Sequence, residues 1–167
     1  MSGERLVHLD LETGAFNRGW FHALLSEAVA RAHREEAPLT LIWVDLDDTA
    51  VLLDELGPAA VQAALDHLAQ SISRASDGLG PIGRVDDDAL AVLLLGAGLP
   101  HSTRIAHAIR REVARSPVPF ESGPRQVTAS VGVALLRPHE PWGNLADAAE
   151  AACIRAKQGG RNRVAPR

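Results

Sequence analysis

Arg84-Val85-Asp86-Asp87-Asp88-Ala89-Leu90-Ala91-Val92-Leu93-Leu94-Leu95 reads as a tight turn between two strands. Ile82–Val85 and the apolar run Leu90–Leu95 read as its strands, and the aspartates between them are residues whose side chains bond nearby backbone in turns. The pair is predicted to be a hairpin with the Asp triplet at its tip. Upstream, Leu39–Val44 is continuously apolar, the pattern of a strand buried on both faces, and it runs into an acidic loop at 45–48.

Helical spacing fills the intervals. Asn17 is a plausible N-cap for a helix through Phe21, Leu24, Leu25, Ala28 and Val29. Ala50–Leu56 is a short helix stopped by Gly57-Pro58, and Val61, Ala64, Leu65, Leu68 and Ile72 mark a longer one. Thr103–Val113 is predicted helical, Val127–Leu135 a strand, Ala146–Lys157 a helix ended by Gly159-Gly160, and Asn162–Val164 a last strand. The order implies an α+β fold, with helices packed on a central, mostly antiparallel sheet.

With 167 residues the chain is expected to form a single domain over 1–167, residues 1–9 being a short lead. A hydrophobic fraction of 46% against 23% charged residues is that of a soluble globular protein. The net charge of -4 gives no electrostatic reason to bind nucleic acid or an acidic membrane. No apolar run approaches the ~20 residues that span a bilayer, and no secretory signal opens the chain, so a cytoplasmic location is expected. Cys153, the one cysteine, excludes an internal disulfide and reads as a small buried apolar residue. The seven histidines are scattered without a zinc-binding spacing, and neither a nucleophile elbow nor a Walker loop is present.

Four further segments, in order, carry a resemblance: Asp10-Leu-Glu-Thr-Gly-Ala-Phe-Asn17-Arg18, Val44-Asp45-Leu46-Asp47, Ser130-Val-Gly-Val-Ala134, and Ala156-Lys157-Gln-Gly-Gly-Arg161-Asn162-Arg163. With the hairpin they resemble the GGDEF domain, the diguanylate cyclase family, across almost the whole chain. The resemblance implies the ferredoxin-like palm of nucleotide cyclases. It also implies a reaction joining two GTP molecules held by a facing pair of domains, with divalent metal neutralising phosphate charge.

Role by role, the resemblance divides the site. Asp45 and Asp88 match metal carboxylates, with the Leu46 backbone carbonyl a further ligand; hard oxygens of this kind suit Mg²⁺ or Mn²⁺. Lys157 and Arg161 match phosphate-contacting cations, although both also sit where cations oppose a helix dipole. The family's turn reads Arg-x-Gly-Gly-Asp/Glu-Glu-Phe. Here Asp86, Asp87, Asp88, Ala89 and Leu90 stand in its place, a degenerate signature in which Ala89 offers no catalytic carboxylate. Leu53 stands where the family has an asparagine that bonds guanine, and Gln62 where it has an aspartate. Leucine can neither donate nor accept, a loss of about 1–3 kcal/mol per buried group.

Many family members bind their product, c-di-GMP, at an Arg-x-x-Asp before the signature turn. Arg74-Ala-Ser-Asp77 has that form, yet gap-free spacing from Asp45 to Asp88 puts Asp77 and Gly80 at the motif positions. The expectation is a catalytically impaired signalling module: either a c-di-GMP receptor using Arg74 and Asp77, or a protein-interaction scaffold with a protein partner. The alternative is a residual cyclase or a metal-dependent nucleotide enzyme of altered specificity. No sensor or coiled coil is expected ahead of the opening motif, so any homodimer is expected to form through the domain surface or a partner protein.

Overall fold

The computed structural model describes residues 8–167; residues 1–7 of the expected lead lie outside them. Helix α1 (Arg18–Glu35) begins where expected, with the Asn17 side chain accepting from the Trp20 N–H. Then follow β1 (Leu39–Leu46), α2 (Thr49–Leu56), α3 (Pro58–Ser76), β2 (Ile82–Arg84), β3 (Ala89–Leu95) and α4 (Leu99–Arg115). A small hairpin, β4 (Val118–Phe120) and β5 (Gly123–Arg125), precedes β6 (Ala129–Leu135), α5 (Trp142–Gln158) and β7 (Val164–Pro166).

The main sheet has the order β2-β3-β1-β6-β7, antiparallel except for the parallel pair β6–β7. Strands β1 and β3 lie side by side, from Leu39 opposite Leu95 to Asp45 opposite Ala89. Alternate side chains feed two cores. Ile42, Val44, Val92, Leu94, Val131 and Val133 meet α3 and α4 on one face. Leu41, Trp43, Ala91 and Leu93 meet α1 and α5 on the other. At Gly132 the α5 backbone comes so close that a Cβ would lie 2.1 Å from the Ala149 carbonyl oxygen and 2.4 Å from the Cys153 nitrogen.

Several boundaries differ from expectation. Helix α4 starts four residues before Thr103 because Pro100 sits in its first turn, where a missing N–H costs nothing. Strand β1 continues through Asp45 and Leu46 instead of ending at Val44, so the first acidic residue belongs to the sheet. Strand β6 begins at Ala129, not Val127. The last strand lies at Val164–Pro166, since Arg161 and Asn162 take left-handed conformations with φ of 61° and 44°. The β4–β5 hairpin was not anticipated; Pro119 and Pro124, paired across it, mask the strand pattern. No helix among the described residues is long and apolar enough to cross a membrane.

Candidate functional site

The candidate site lies where β1 ends, beside the β2–β3 turn and the C-terminal end of α5. Asp45 and Ala89 are partners in register, so both side chains project to the α5 face of the sheet. Lys157, in the last turn of α5, reaches across: its Nζ lies 2.6 Å from Asp45 Oδ1 and donates to the Leu46 carbonyl at 3.0 Å. Burial pushes the Asp45 carboxyl up to about 6, and the charges of Asp88 and Asp47 add to this against the Lys157 hydrogen bond. Burial likewise opposes the charge on Lys157, but the Asp45 hydrogen bond and the Asp45 and Asp88 charges together outweigh it and hold the ammonium above its ordinary value.

Each neighbouring aspartate has its own holder. Asp88 accepts from Thr49 Oγ1 at 2.6 Å, and its backbone carbonyl accepts from the Leu46 N–H at 3.1 Å. Asp47 is buried and accepts from the Thr128 and Ser130 hydroxyls, each at 2.7 Å, and from the Asn162 N–H at 3.0 Å. Asp48, left-handed at φ 56°, pairs with Arg161 at 3.0 Å. Three left-handed non-glycine residues, Asp48, Arg161 and Asn162, thus cluster here; strain of this kind persists only where the surroundings over-determine it.

The acidic turn is clamped from outside. Arg84 donates to the carbonyls of Asp86 (3.0 Å) and Asp87 (2.6 Å) and to the carboxylates of Asp10 (3.2 Å) and Glu12 (2.9 Å). Arg18 holds the Val85 carbonyl and pairs with Asp86 at 3.1 Å. Neither Asp86 nor Asp87 has a positive φ, so this turn does not call on glycine's conformational freedom. The Asp87 and Asp86 side chains are exposed, whereas Ala89 and Leu90 are fully buried at 0%.

Among the described residues, positions 53 and 62 make no hydrogen bond to Asp45, Asp88 or Lys157, although Gln62 meets Glu12, which Arg84 also holds. Leu53 is 46% exposed on α2, and the Gln62 amide already donates to the Glu12 carbonyl (3.0 Å) and to Asp66 (2.9 Å). Arg74 and Asp77 are not joined to each other. Arg74 bonds Glu112 on α4 at 2.9 Å and Ser71 at 3.3 Å, and Asp77 is the left-handed C-cap of α3, its N–H on the Ser73 carbonyl.

Residues 7–163 match a family model described as "Diguanylate cyclase, GGDEF domain". The chain belongs to the GGDEF domain family. It is 31% identical over 164 residues to the uncharacterized protein YhcK of Bacillus subtilis (strain 168), covering 95% of this chain and 45% of that protein. It is 28% identical over 152 residues to the diguanylate cyclase DgcP of Pseudomonas aeruginosa, covering 91% of this chain and 23% of that one. The chain therefore spans less than half the length of these two relatives. Among solved structures, the GGDEF domain of DgcB from Caulobacter crescentus in complex with c-di-GMP superposes with a TM-score of 0.91. That match has 24% sequence identity and covers 96% of this chain and 93% of the other. The cyclase palm expected from the motifs is the fold this domain adopts.

In this GGDEF domain the donors available to a cation are two carboxylates, Asp45 and Asp88, and the Leu46 carbonyl. Among the described residues no group of three or more His, Cys, Asp or Glu side chains converges as a cation cage. The donors are nevertheless hard oxygens, and a protein cation, the Lys157 ammonium, already rests on two of the three. Their chemistry fits one Mg²⁺ or Mn²⁺ ion. The reading from sequence missed the Arg18–Arg84 clamp and the Thr49, Thr128 and Ser130 hydroxyls. Arg84 was in view as the head of the signature turn, but nothing in spacing alone ties it to Asp10 and Glu12.

Proposed function

We propose that this GGDEF domain, taken as a single unit over 1–167, is catalytically impaired and serves c-di-GMP-linked regulation as a binding or protein-interaction module. The observation that carries the reading is Ala89. It is fully buried, directly opposite Asp45, and its methyl group supplies neither charge nor proton acceptor where the family resemblance implies a glutamate. Two further features support it. Leu53 offers a base no hydrogen bond, and both donors of the Gln62 amide are engaged within the protein.

The other half of the site retains what a phosphate-bearing ligand would use. Asp45, Asp88 and Leu46 would hold Mg²⁺ or Mn²⁺, which when bound would neutralise phosphate charge. Lys157 supplies a point charge and Arg161 a planar fork. This retained half favours the second reading, a residual cyclase or a metal-dependent nucleotide enzyme of altered specificity. The reading places the domain in the cytoplasm, with a protein partner or a second copy as its contact.

Calorimetric titration of c-di-GMP into nucleotide-free protein decides the form of the module. Saturable micromolar binding, lost in Arg74→Ala, makes it a receptor at Arg74 and Asp77. Binding unchanged in Arg74→Ala moves the ligand away from that pair. No binding leaves the interaction scaffold. Conversion of GTP to product by the purified chain overturns the impairment itself.

A further inference from the structure

Lys157 does something at this site beyond meeting a phosphate. Its ammonium lies 2.6 Å from Asp45 Oδ1 and 3.0 Å from the Leu46 carbonyl, on the two β1 groups that a divalent ion would use. The lysine side chain is 27% exposed and Asp45 21%, so the pair is partly withdrawn from water and weakly screened. Asp88, the third donor, is not on the lysine; Thr49 holds it. Asp45 Oδ2 and a second carbonyl lone pair are left over, but a divalent ion on these groups would sit within a few ångströms of the ammonium, where like charges repel strongly.

The exchange requires no movement of the fold. Ala152, Cys153 and Ala156 anchor α5 in the core, while the lysine ammonium rides on a flexible four-carbon stem. Arg161 faces Asp48 on the turn that follows. An anion arriving at this edge would meet both cations together.

We propose that Lys157 is a built-in competitor for the divalent-cation position, and that a phosphate-bearing ligand releases it, so that anion and metal bind cooperatively. The proposal rests on the reading of Asp45, Asp88 and Leu46 as the metal side. Its physical content is a linkage: whatever draws the ammonium away strengthens metal binding, and bound metal strengthens anion binding by the same factor.

The test is titration of Mn²⁺ into the full chain in phosphate-free buffer, with free ion read by electron paramagnetic resonance. Lys157→Met is expected to bind Mn²⁺ about tenfold or more tightly than the parent, and Asp45→Asn to abolish that gain. Inorganic phosphate should tighten Mn²⁺ binding in the parent more than in Lys157→Met. Equal Mn²⁺ affinity in parent and Lys157→Met, lost in Asp45→Asn, keeps the metal reading and overturns the competitor. No binding in any of these proteins overturns both. An equal gain from phosphate in parent and variant overturns the release step. Lys157→Gln repeats the comparison with a polar replacement, and thermal melts establish that each variant is folded.

Discussion

Asp10 shows how one side chain ties the acidic turn to the start of the domain. It accepts from the Thr13 backbone N–H (2.9 Å) and hydroxyl (2.8 Å), and Arg84 approaches it at 3.2 Å while gripping the Asp86 and Asp87 carbonyls. Burial opposes its ionisation, but the Thr13 bonds and the Arg84 guanidinium outweigh this and hold the carboxyl below its ordinary value of 3.8. A folded-state value below the unfolded one means that the unfolded chain binds the proton more tightly. The stabilisation is therefore complete above 3.8 and is lost as pH falls through the lower, folded-state value. In urea unfolding followed against pH, Asp10→Asn should have a lower midpoint than the parent at neutral pH. The gap should close in the acid range; a gap independent of pH would remove Asp10 from this role. Cys153 has the opposite character: burial and the nearby Asp45 charge push its thiol up to about 12, and its Sγ donates to the Ser130 carbonyl at 3.2 Å. It packs rather than reacts, as the apolar Ala-Ala-Cys-Ile setting implies.

At the scale of elements, the contact of α5 with β6 fixes where Lys157 can reach. Gly132 permits that contact, since any Cβ would collide with α5 backbone atoms, which cannot turn aside as a side chain would. Gly132→Ala should lower stability by about 1–3 kcal/mol, seen as a fall in the urea midpoint, and should weaken the Asp45–Lys157 approach with it. An unchanged midpoint would mean that α5 shifts freely. The same elements show why some of the fold could be read from sequence and some could not. Strand β3 is an uninterrupted apolar run and β1 is mostly apolar up to Asp45, and α1 and α3 have regular apolar spacing behind a cap or a Gly-Pro break, so local pattern and tertiary burial agree. The start of α4, the β4–β5 hairpin and the position of β7 each involve proline or left-handed residues. The prolines obscure the local pattern in the first two, and β7 is placed by its parallel pairing with β6, distant in sequence. Within the site, the carboxylates, Lys157 and Arg161 were legible as residue types. Their pairings were not: Lys157 with Asp45 spans 112 positions and Asn162 with Asp47 spans 115.

Across the whole molecule, the proposed function combines a charged edge, Asp45, Asp88, Lys157 and Arg161, with Ala89, Leu53 and Gln62, which offer a guanine and the chemical step little. The acidic turn is held in shape by Arg18 and Arg84 without glycine, so its departure from the family pattern does not disturb the fold. On the proposed reading, that separation would let the palm serve as a binding or docking module. On this proposal Ala89, with Leu53 and Gln62, leaves the chain unable to condense GTP. The direct measurement is incubation of the purified chain with GTP and Mn²⁺, at concentrations high enough for two domains to meet, with c-di-GMP quantified chromatographically. The account predicts no product above a protein-free control. Product that accumulates with time and disappears in Asp45→Ala would contradict it.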